Sequence, residues 1–429
     1  MTAEKLDKLI KKLENLHPKY IDLSLVRLKS LLKNLGNPHL NLPPVIHIAG
    51  TNGKGSTLSF IKNILIENNY NVHSYISPHL TSINERFVLS NKDISKKKLF
   101  STLKFIESVN DKKPITFFEI TTAAALYLFS KTKADFLILE TGLGGRLDAT
   151  NIINDSKISI ITPISYDHQE FLGNSLEKIT KEKLGIIKKN SIIIIGKQKN
   201  KVNNYIKTKI KKKFNKKLFY NKNFKILNIN KSKFKLLLNK KEFSFEKPLL
   251  RGKHQIENAA LAIASINEIK KSGYKILKKK IDIGIKKTKW PGRLELRYLK
   301  NIPVFLDGAH NEDGATKLAN FLNNEKKTWF IIGMLKNKDI NLFLKILKKN
   351  ITGVIALKIP EEKNSLSSDE IYEYCKKLKI FCKKEQNIKT AKKYILNKVN
   401  TERVVVTGSL YLVGRVRLLF SQATINPIN

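Results

Sequence analysis

The sequence predicts an α/β protein in two parts. Residues 1–290 form a domain with a mostly parallel sheet, and residues 291–429 form a smaller, Rossmann-like α/β domain. Three observations lead there. Short apolar runs alternate with stretches of helical periodicity, which is the signature of βαβ units. That alternation breaks once, at Lys289-Trp290-Pro291-Gly292-Arg293, and then resumes. A chain of 429 residues is also too long for a single core.

Taken in order, residues 4–35 read as one or two helices closed by Gly36-Asn37-Pro38. Strands follow at 45–48, 72–76, 136–139, 158–161 and 192–195, each an apolar run of β-formers. A helix is expected over 175–189. Residues 197–247 are Lys-rich with short strand-like pieces at 224–228, 234–238 and 242–245, which we read as an antiparallel insertion without catalytic residues. A helix begins near His254, with apolar positions at 256, 259, 260, 263 and 266. Beyond the break, strands at 304–306, 328–332, 354–357 and 404–407 alternate with helices at 312–323, 339–348, 367–377 and 410–420.

Composition narrows the function classes. No apolar run reaches 18 residues, and residues 1–19 lack the continuous apolar core of a signal peptide, so a cytoplasmic protein without membrane contact is expected. Two cysteines, Cys375 and Cys382, fit a reducing compartment, and no metal-type Cys/His cluster surrounds them. The formal net charge of +45 suggests polyanion binding. However, only nine of the 81 basic residues are Arg, and the lysines are dispersed from residue 5 to residue 398 among abundant Ile and Asn. Nucleic-acid readers concentrate basic residues on one face and favour Arg. The pattern fits a codon bias toward A and T, with nonspecific rather than specific affinity for nucleic acid.

The chemistry gathers where strands end, since ligands of such sheets bind outside the strand carboxyl ends. The first strand runs into Gly50-Thr51-Asn52-Gly53-Lys54-Gly55-Ser56 and then an amphipathic helix. The glycines let backbone N–H groups close around an anion, the helix adds its positive dipole end, and Lys54 adds a full charge. This departs from the strict G-x-x-x-x-G-K-[ST] pattern, because Gly55 separates Lys54 from Ser56. An ordinary glycine turn is the plain alternative.

Other strand ends add polar groups. Ser77-Pro78-His79-Leu80 and Asn84-Glu85-Arg86-Phe87 follow the second strand. Thr116 and Glu119 have capping-box spacing around Phe118, so Glu119 reads equally as structural or as ligand-binding. Glu140 ends the third strand, where a Mg²⁺ ligand beside a phosphate loop belongs. It leads into Thr141-Gly142-Leu143-Gly144-Gly145-Arg146-Leu147-Asp148-Ala149-Thr150-Asn151, in which Arg146 and Asp148 could pair. His168 is a second candidate ligand, although a lone loop His is more often structural. Asn258 sits near a helix start, and Asp307-Gly308-Ala309-His310-Asn311 ends the first strand of the second domain.

Together these motifs resemble the folylpolyglutamate synthase/dihydrofolate synthase family of Mur-like amide ligases. The matching segments are 50–56, 77–80, 84–87, 118–119, 140–151, 167–168, 182–186, 254–258, 291–293, 307–311, 333–335 and 408–415. They run the length of the chain in order, and the block at 142–151 is distinctive of the folate branch.

The resemblance implies a phosphate-loop nucleotide-binding first domain and ATP bound between the domains. Thr51, Asn52, Gly53, Lys54, Gly55 and Ser56 would hold the phosphates, with Asn258, Arg293 and Asp307 on the nucleotide. Two Mg²⁺ ions are implied, one held by Ser77 and Glu140 with Ser56 nearby, the other by Glu140, His168 and Lys183. Lys183 is expected as its carbamate, N6-carboxylysine, because CO₂ turns an ammonium that would repel the metal into an oxygen ligand.

The pterin would lie against Leu25, Thr116, Phe118, Glu119, Leu147, Asp148 and Ala149, with Arg86 near the substrate. Lys54, Lys183 and His310 are the expected catalytic residues, Asp307 and His310 completing the site on domain closure. Val26 departs from a common Glu, and Thr141 from a common Val. The implied reaction is ATP-dependent joining of L-glutamate to dihydropteroate or folate through an acyl phosphate, by a monomer with small-molecule partners. Another Mur-like amino-acid ligase, or a basic nucleic-acid-binding protein, are the alternatives.

Overall fold

The computed structural model describes residues 2–19, 21–210, 216–323, 326–397, 401–419 and 421–422. The backbone divides into two compact units. The first comprises Met1–Ile164, His168–Leu249 and Ile256–Thr288; the second takes Ser165–Asp167, Leu250–Gln255 and Lys289–Asn429.

The first unit is organised on eight strands: β1 (Val45–Ala49), β2 (Val72–Tyr75), β3 (Phe87–Leu89), β4 (Lys92–Asp93), β5 (Phe136–Glu140), β6 (Ile158–Ile161), β7 (Ile192–Ile195) and β8 (Lys217–Phe219). Their order is β4-β3-β2-β5-β1-β6-β7-β8. All neighbours pair in parallel except β2–β3 and β3–β4. Every residue of β1, β5 and β6 is buried, which is why these strands read as mostly apolar runs, interrupted by His47 and Ser159 and ended by Glu140, rather than as alternating ones.

Register aligns the carboxyl ends of the central strands. Ile48 lies opposite Glu140 and Ala49 opposite Ile161, so Gly50, Thr141 and Thr162 emerge at one edge. The helix Phe117–Lys131 packs by its small residues Ala123, Ala124 and Ala125, all fully buried. Two helices, Thr2–Glu14 and Val26–Asn34, fill the expected 4–35 stretch. The Lys-rich insertion is antiparallel, as expected: β9 (Phe224–Ile229), β10 (Lys233–Leu238) and β11 (Lys241–Glu246) form a separate sheet in the order β11-β10-β9.

The second unit holds β12 (Glu295–Leu299), β13 (Ile302–Leu306), β14 (Thr328–Ile332), β15 (Gly353–Ala356), β16 (Cys382–Lys384), β17 (Arg403–Thr407) and β18 (Ser421–Gln422), ordered β16-β15-β14-β17-β13-β12-β18. The five strands from β16 to β13 are parallel, and β12 and β18 add an antiparallel edge. Its core is built from periodic helix faces such as Ile340, Phe343, Leu344 and Leu347, against Phe330, Ile332 and Val405. Each such side chain contributes about 1.5–3 kcal/mol by leaving water.

Three differences from the expected elements have local causes. The β3–β4 hairpin turns on Ser90 and Asn91, both with positive φ (43° and 73°), without the Gly that marks such turns in sequence. The helix expected over 175–189 stops at Leu184. At its end the chain runs against residue 146: a Cβ on Gly185 would lie 2.5 Å from Arg146 Cα. Finally, β12 escaped notice because its apolar residues are interleaved with Glu295 and Arg297.

Candidate active site

The turn after β1 is shaped by what surrounds it. Thr51 N–H and Asn52 N–H donate to Pro163 O at 2.9 and 3.3 Å, tying the turn to the end of β6. Gly50 and Gly53 have φ of +152° and +86°. A Cβ at Gly50 would strike the Thr162 hydroxyl, and one at Gly53 would lie 2.5 Å from Asn258 Oδ1. Glycine is therefore required twice, and Asn258 abuts the loop.

Helix Lys54–Glu67 begins at Gly53 with no side-chain cap among the described residues. Its first N–H groups, those of Lys54, Gly55 and Ser56, are thus left for an outside acceptor, where the dipole favours an anion. Lys54 Nζ donates to Gly50 O and Thr51 O, both at 3.3 Å. The buried Lys183 donates to the same Gly50 O at 2.8 Å. Two lysine side chains thus meet at one turn.

The glycine block places Lys183. Arg146 N–H donates to Glu182 O at 2.8 Å, and a Cβ at Gly145 would lie 2.7 Å from that same oxygen. Asn151 Nδ2 donates to Arg146 O and Gly185 O at 3.0 and 3.1 Å. The block is seated directly on the end of helix Leu176–Leu184 that bears Lys183.

Asp148 fixes the block from inside. Its carboxylate accepts from Leu143 N–H (2.7 Å), Thr150 N–H (3.0 Å) and Thr150 Oγ1 (2.5 Å). Because Thr150 spends its only proton there, it accepts from His47 Nε2–H at 2.8 Å. Burial pushes the Asp148 carboxyl up from its ordinary value, against those hydrogen bonds. His47 is pushed down to about 3 by burial, with Lys188 adding to the effect, so it is neutral. The possible Arg146–Asp148 pair does not form: Arg146 reaches Glu182 instead, at 3.1 Å from both Nε and Nη2, while Asp148 is consumed within its own loop.

Around the metal candidates, Glu140 is buried at the end of β5. Ser77 Oγ is buried without a hydrogen-bond partner among the described residues, so it can take a ligand. His168, at φ 49°, starts the short helix Gln169–Leu172. No group of three or more His, Cys, Asp or Glu that could hold a metal occurs among the described residues. One carboxylate with hydroxyls suits Mg²⁺, which completes its shell with phosphate and water, better than it suits a protein-only cage.

The pterin candidates form another cluster in the same unit. Thr116 and Glu119 make the full capping box, with Glu119 Oε2 accepting from Thr116 N–H and Oγ1 at 2.9 and 2.8 Å. Arg27 Nε reaches the same oxygen at 3.1 Å, while Glu119 Oε1 is buried without a partner among the described residues. Glu119 is therefore structural through one oxygen and open through the other. Phe118 stacks on Tyr75 with centroids 6.0 Å apart, and a Cβ at Gly142 would lie 2.6 Å from its ring. Arg86 donates to His79 Nδ1 at 3.0 Å and lies 5.4 Å over the Phe117 ring. Leu25 and Leu147 are half-buried, Ala149 is buried, and Val26 is 74% exposed.

In the second unit the turn after β13 is held by its own carboxylate. Asp307 accepts from Leu294 N–H (2.9 Å) and Ala309 N–H (3.0 Å), and burial pushes its carboxyl up although Arg293 opposes that. His310 contacts Gly308 O through Nδ1 (2.8 Å) and Asp167 through Nε2 (3.3 Å). Asn311 Nδ2 also donates to Asp167, at 3.1 Å, and Lys338 forms an ion pair with it. Half-buried His254 is pushed down to about 3, first by desolvation and then by Lys317 and Arg293. Lys338 was missed from sequence; its only signal is a position just past β14, a strand end like the others.

Known proteins share both units. The Mur ligase middle domain matches residues 48–266, and the dihydrofolate synthetase C-terminal domain matches residues 293–419. A probable dihydrofolate synthetase of Schizosaccharomyces pombe is 33% identical over 422 residues, covering 92% of this chain and 97% of the relative. The chain belongs to the dihydrofolate synthase/folylpolyglutamate synthase family of Mur ligases. The ligase superposes on E. coli FolC in complex with DHPP and ADP with a TM-score of 0.86, at 28% identity and 98% coverage of both chains. It also resembles a bifunctional folylpolyglutamate synthase/dihydrofolate synthase solved with Mn, AMPPNP and L-glutamate bound, with a TM-score of 0.83 at 27% identity, covering 96% of this chain and 97% of the other. By membership the ligase is an ATP-dependent enzyme that forms carbon–nitrogen bonds.

Proposed function

We propose that the ligase joins L-glutamate to the carboxylate of dihydropteroate and of reduced folates, with ATP as the energy source. The observation that carries this is the uncapped, glycine-lined helix start at residues 53–56, flanked by Lys54 and Lys183. The acceptor's identity is supported by the names of the relatives and by the glycine block at 142–151.

The acceptor carboxylate attacks the γ-phosphorus of ATP, and ADP leaves. The glutamate amine then attacks the acyl phosphate carbonyl, phosphate departs, and the amide remains. Both first reactants are anions, so Lys54 and the helix start offset their repulsion and stabilise charge developing on the transferred phosphoryl group. Ser56, Ser77 and Glu140 would hold one Mg²⁺, and Glu140, His168 and Lys183, once carbamylated, a second; such ions would further neutralise phosphate charge. The proposal assigns Thr51, Asn52, Gly53, Gly55 and Asn258 to the nucleotide, and on the family pattern Arg293 and Asp307 as well. Leu25, Arg86, Thr116, Phe118, Glu119, Leu147, Asp148 and Ala149 are assigned to the pterin side, and His310 to the reaction. A monomeric, cytoplasmic enzyme is part of this reading; no described helix is long and apolar enough to cross a membrane.

The test is ATP-to-ADP turnover with Mg²⁺, bicarbonate and glutamate, comparing 7,8-dihydropteroate with tetrahydrofolate. Activity with both is expected. Activity with tetrahydrofolate alone would limit the enzyme to chain extension. Folded protein without glutamate-dependent turnover on either would overturn the proposal.

A further inference from the structure

The second unit carries two thiols that the ligase reaction does not use. Cys375 is buried near the end of helix Ser368–Lys377, and Cys382 opens the edge strand β16, half-buried. The chain between them doubles back. Leu378 N–H and Ile380 N–H both donate to Cys375 O, at 3.1 and 2.9 Å, and Lys379 turns through φ 54°. Pairing of Cys382 with Val354 of β15 then fixes the strand beneath the helix end. Cys375 belongs to the unit's buried core cluster and Cys382 packs against it, so close that each thiol shifts the other's titration. They are the chain's only cysteines, so each has one intramolecular partner.

We propose that Cys375 and Cys382 form a redox-convertible dithiol, closed to an intramolecular disulfide by exchange with a low-molecular-weight disulfide such as oxidised glutathione. The pair has unequal members. The side-chain contact with Cys375 lowers the Cys382 thiol, with Lys384 also favouring its thiolate, whereas that contact and burial push Cys375 up. Cys382, the more accessible and more acidic, is the attacking thiol. Its sulfur displaces one thiolate from the small disulfide, giving a mixed disulfide on Cys382. Cys375 then loses its proton and attacks Cys382 Sγ, expelling the second thiolate. Both protein thiol protons end on the two small thiols released, and the small disulfide is the oxidant. The closed bond ties the helix end to the edge strand, constraining a short loop.

The experiment incubates the full chain with oxidised glutathione near pH 8 and follows intact mass, peptide linkage and titratable thiols. The expected result is loss of two hydrogens, a peptide joining residues 375 and 382, reversal by dithiothreitol, and a melting temperature raised by roughly 2–4 °C. Cys375→Ser should stop at one glutathione adduct. Should that buried variant fail to fold, Cys382→Ser should take up no glutathione, since Cys375 alone is inaccessible. Two persistent free thiols in the wild type, a stable mixed disulfide, or cross-linked chains would each overturn the proposal.

Discussion

The turns after β1 and β13 occupy corresponding places, each leading from the carboxyl end of an inner strand into a helix, yet they are filled differently. The first has glycines at its bends, no side chain capping its helix among the described residues, and two lysines on one carbonyl. The second has Asp307 on two backbone N–H groups and Asn311 capping helix Glu312–Leu322 through Gly314 N–H at 2.9 Å. One turn leaves its donors to a foreign anion; the other has brought its own. An uncapped helix start costs stability unless something occupies it, so the contrast separates a binding turn from a positioning turn.

The sharpest test of that contrast is Lys54→Met. Glutamate-dependent ADP release should fall about a thousandfold, with the denaturation midpoint unchanged. A fall below about tenfold would remove the first turn's claim to the anion. Asp307→Asn probes the other side by replacing an acceptor with a donor that faces a backbone N–H. It should destabilise the second unit by about 1–3 kcal/mol in chemical denaturation, and an unchanged midpoint would show that the turn does not depend on its own carboxylate.

A third test concerns pH. His47 is neutral in the fold and held down to about 3, below its unfolded value, so the unfolded state binds the extra proton as pH falls. Its contribution is complete above about pH 6.5 and is lost progressively toward pH 3. Wild type should therefore lose stability relative to His47→Asn by up to about 1.4 kcal/mol per pH unit in that window. Buried Asp148 and Asp307, whose carboxyls are pushed up, act in the opposite sense, gaining stability as pH falls toward their unfolded range. The comparison between variants is consequently more informative than the wild-type curve alone. Equal slopes would mean that His47 is not held neutral beside Thr150.

Much of the architecture was legible in the chain because the inner strands are buried on both faces and so appear as apolar runs. The capping box of Thr116 and Glu119 could also be read, since capping depends on residues three apart. Side-chain partnership was not legible. Arg146 stands two residues from Asp148 and chooses Glu182, 36 residues on, because Asp148 is already saturated by Leu143 and Thr150. Lys338 meets Asp167 across 171 residues, which no local pattern announces.

What the sequence by itself determined was the succession of strands, turns and helices, and which turns carry glycine, lysine and carboxylate. These follow from backbone sterics and hydrophobic periodicity, both local. The tertiary structure alone decided which of those groups face one another. It set Asn258 against Gly53 and Lys183 on Gly50 O, and it left Ser77 Oγ without a partner among the described residues. Hydrogen bonds reach about 3 Å whatever the separation in sequence, so only packing of the whole sheet can say who is within reach.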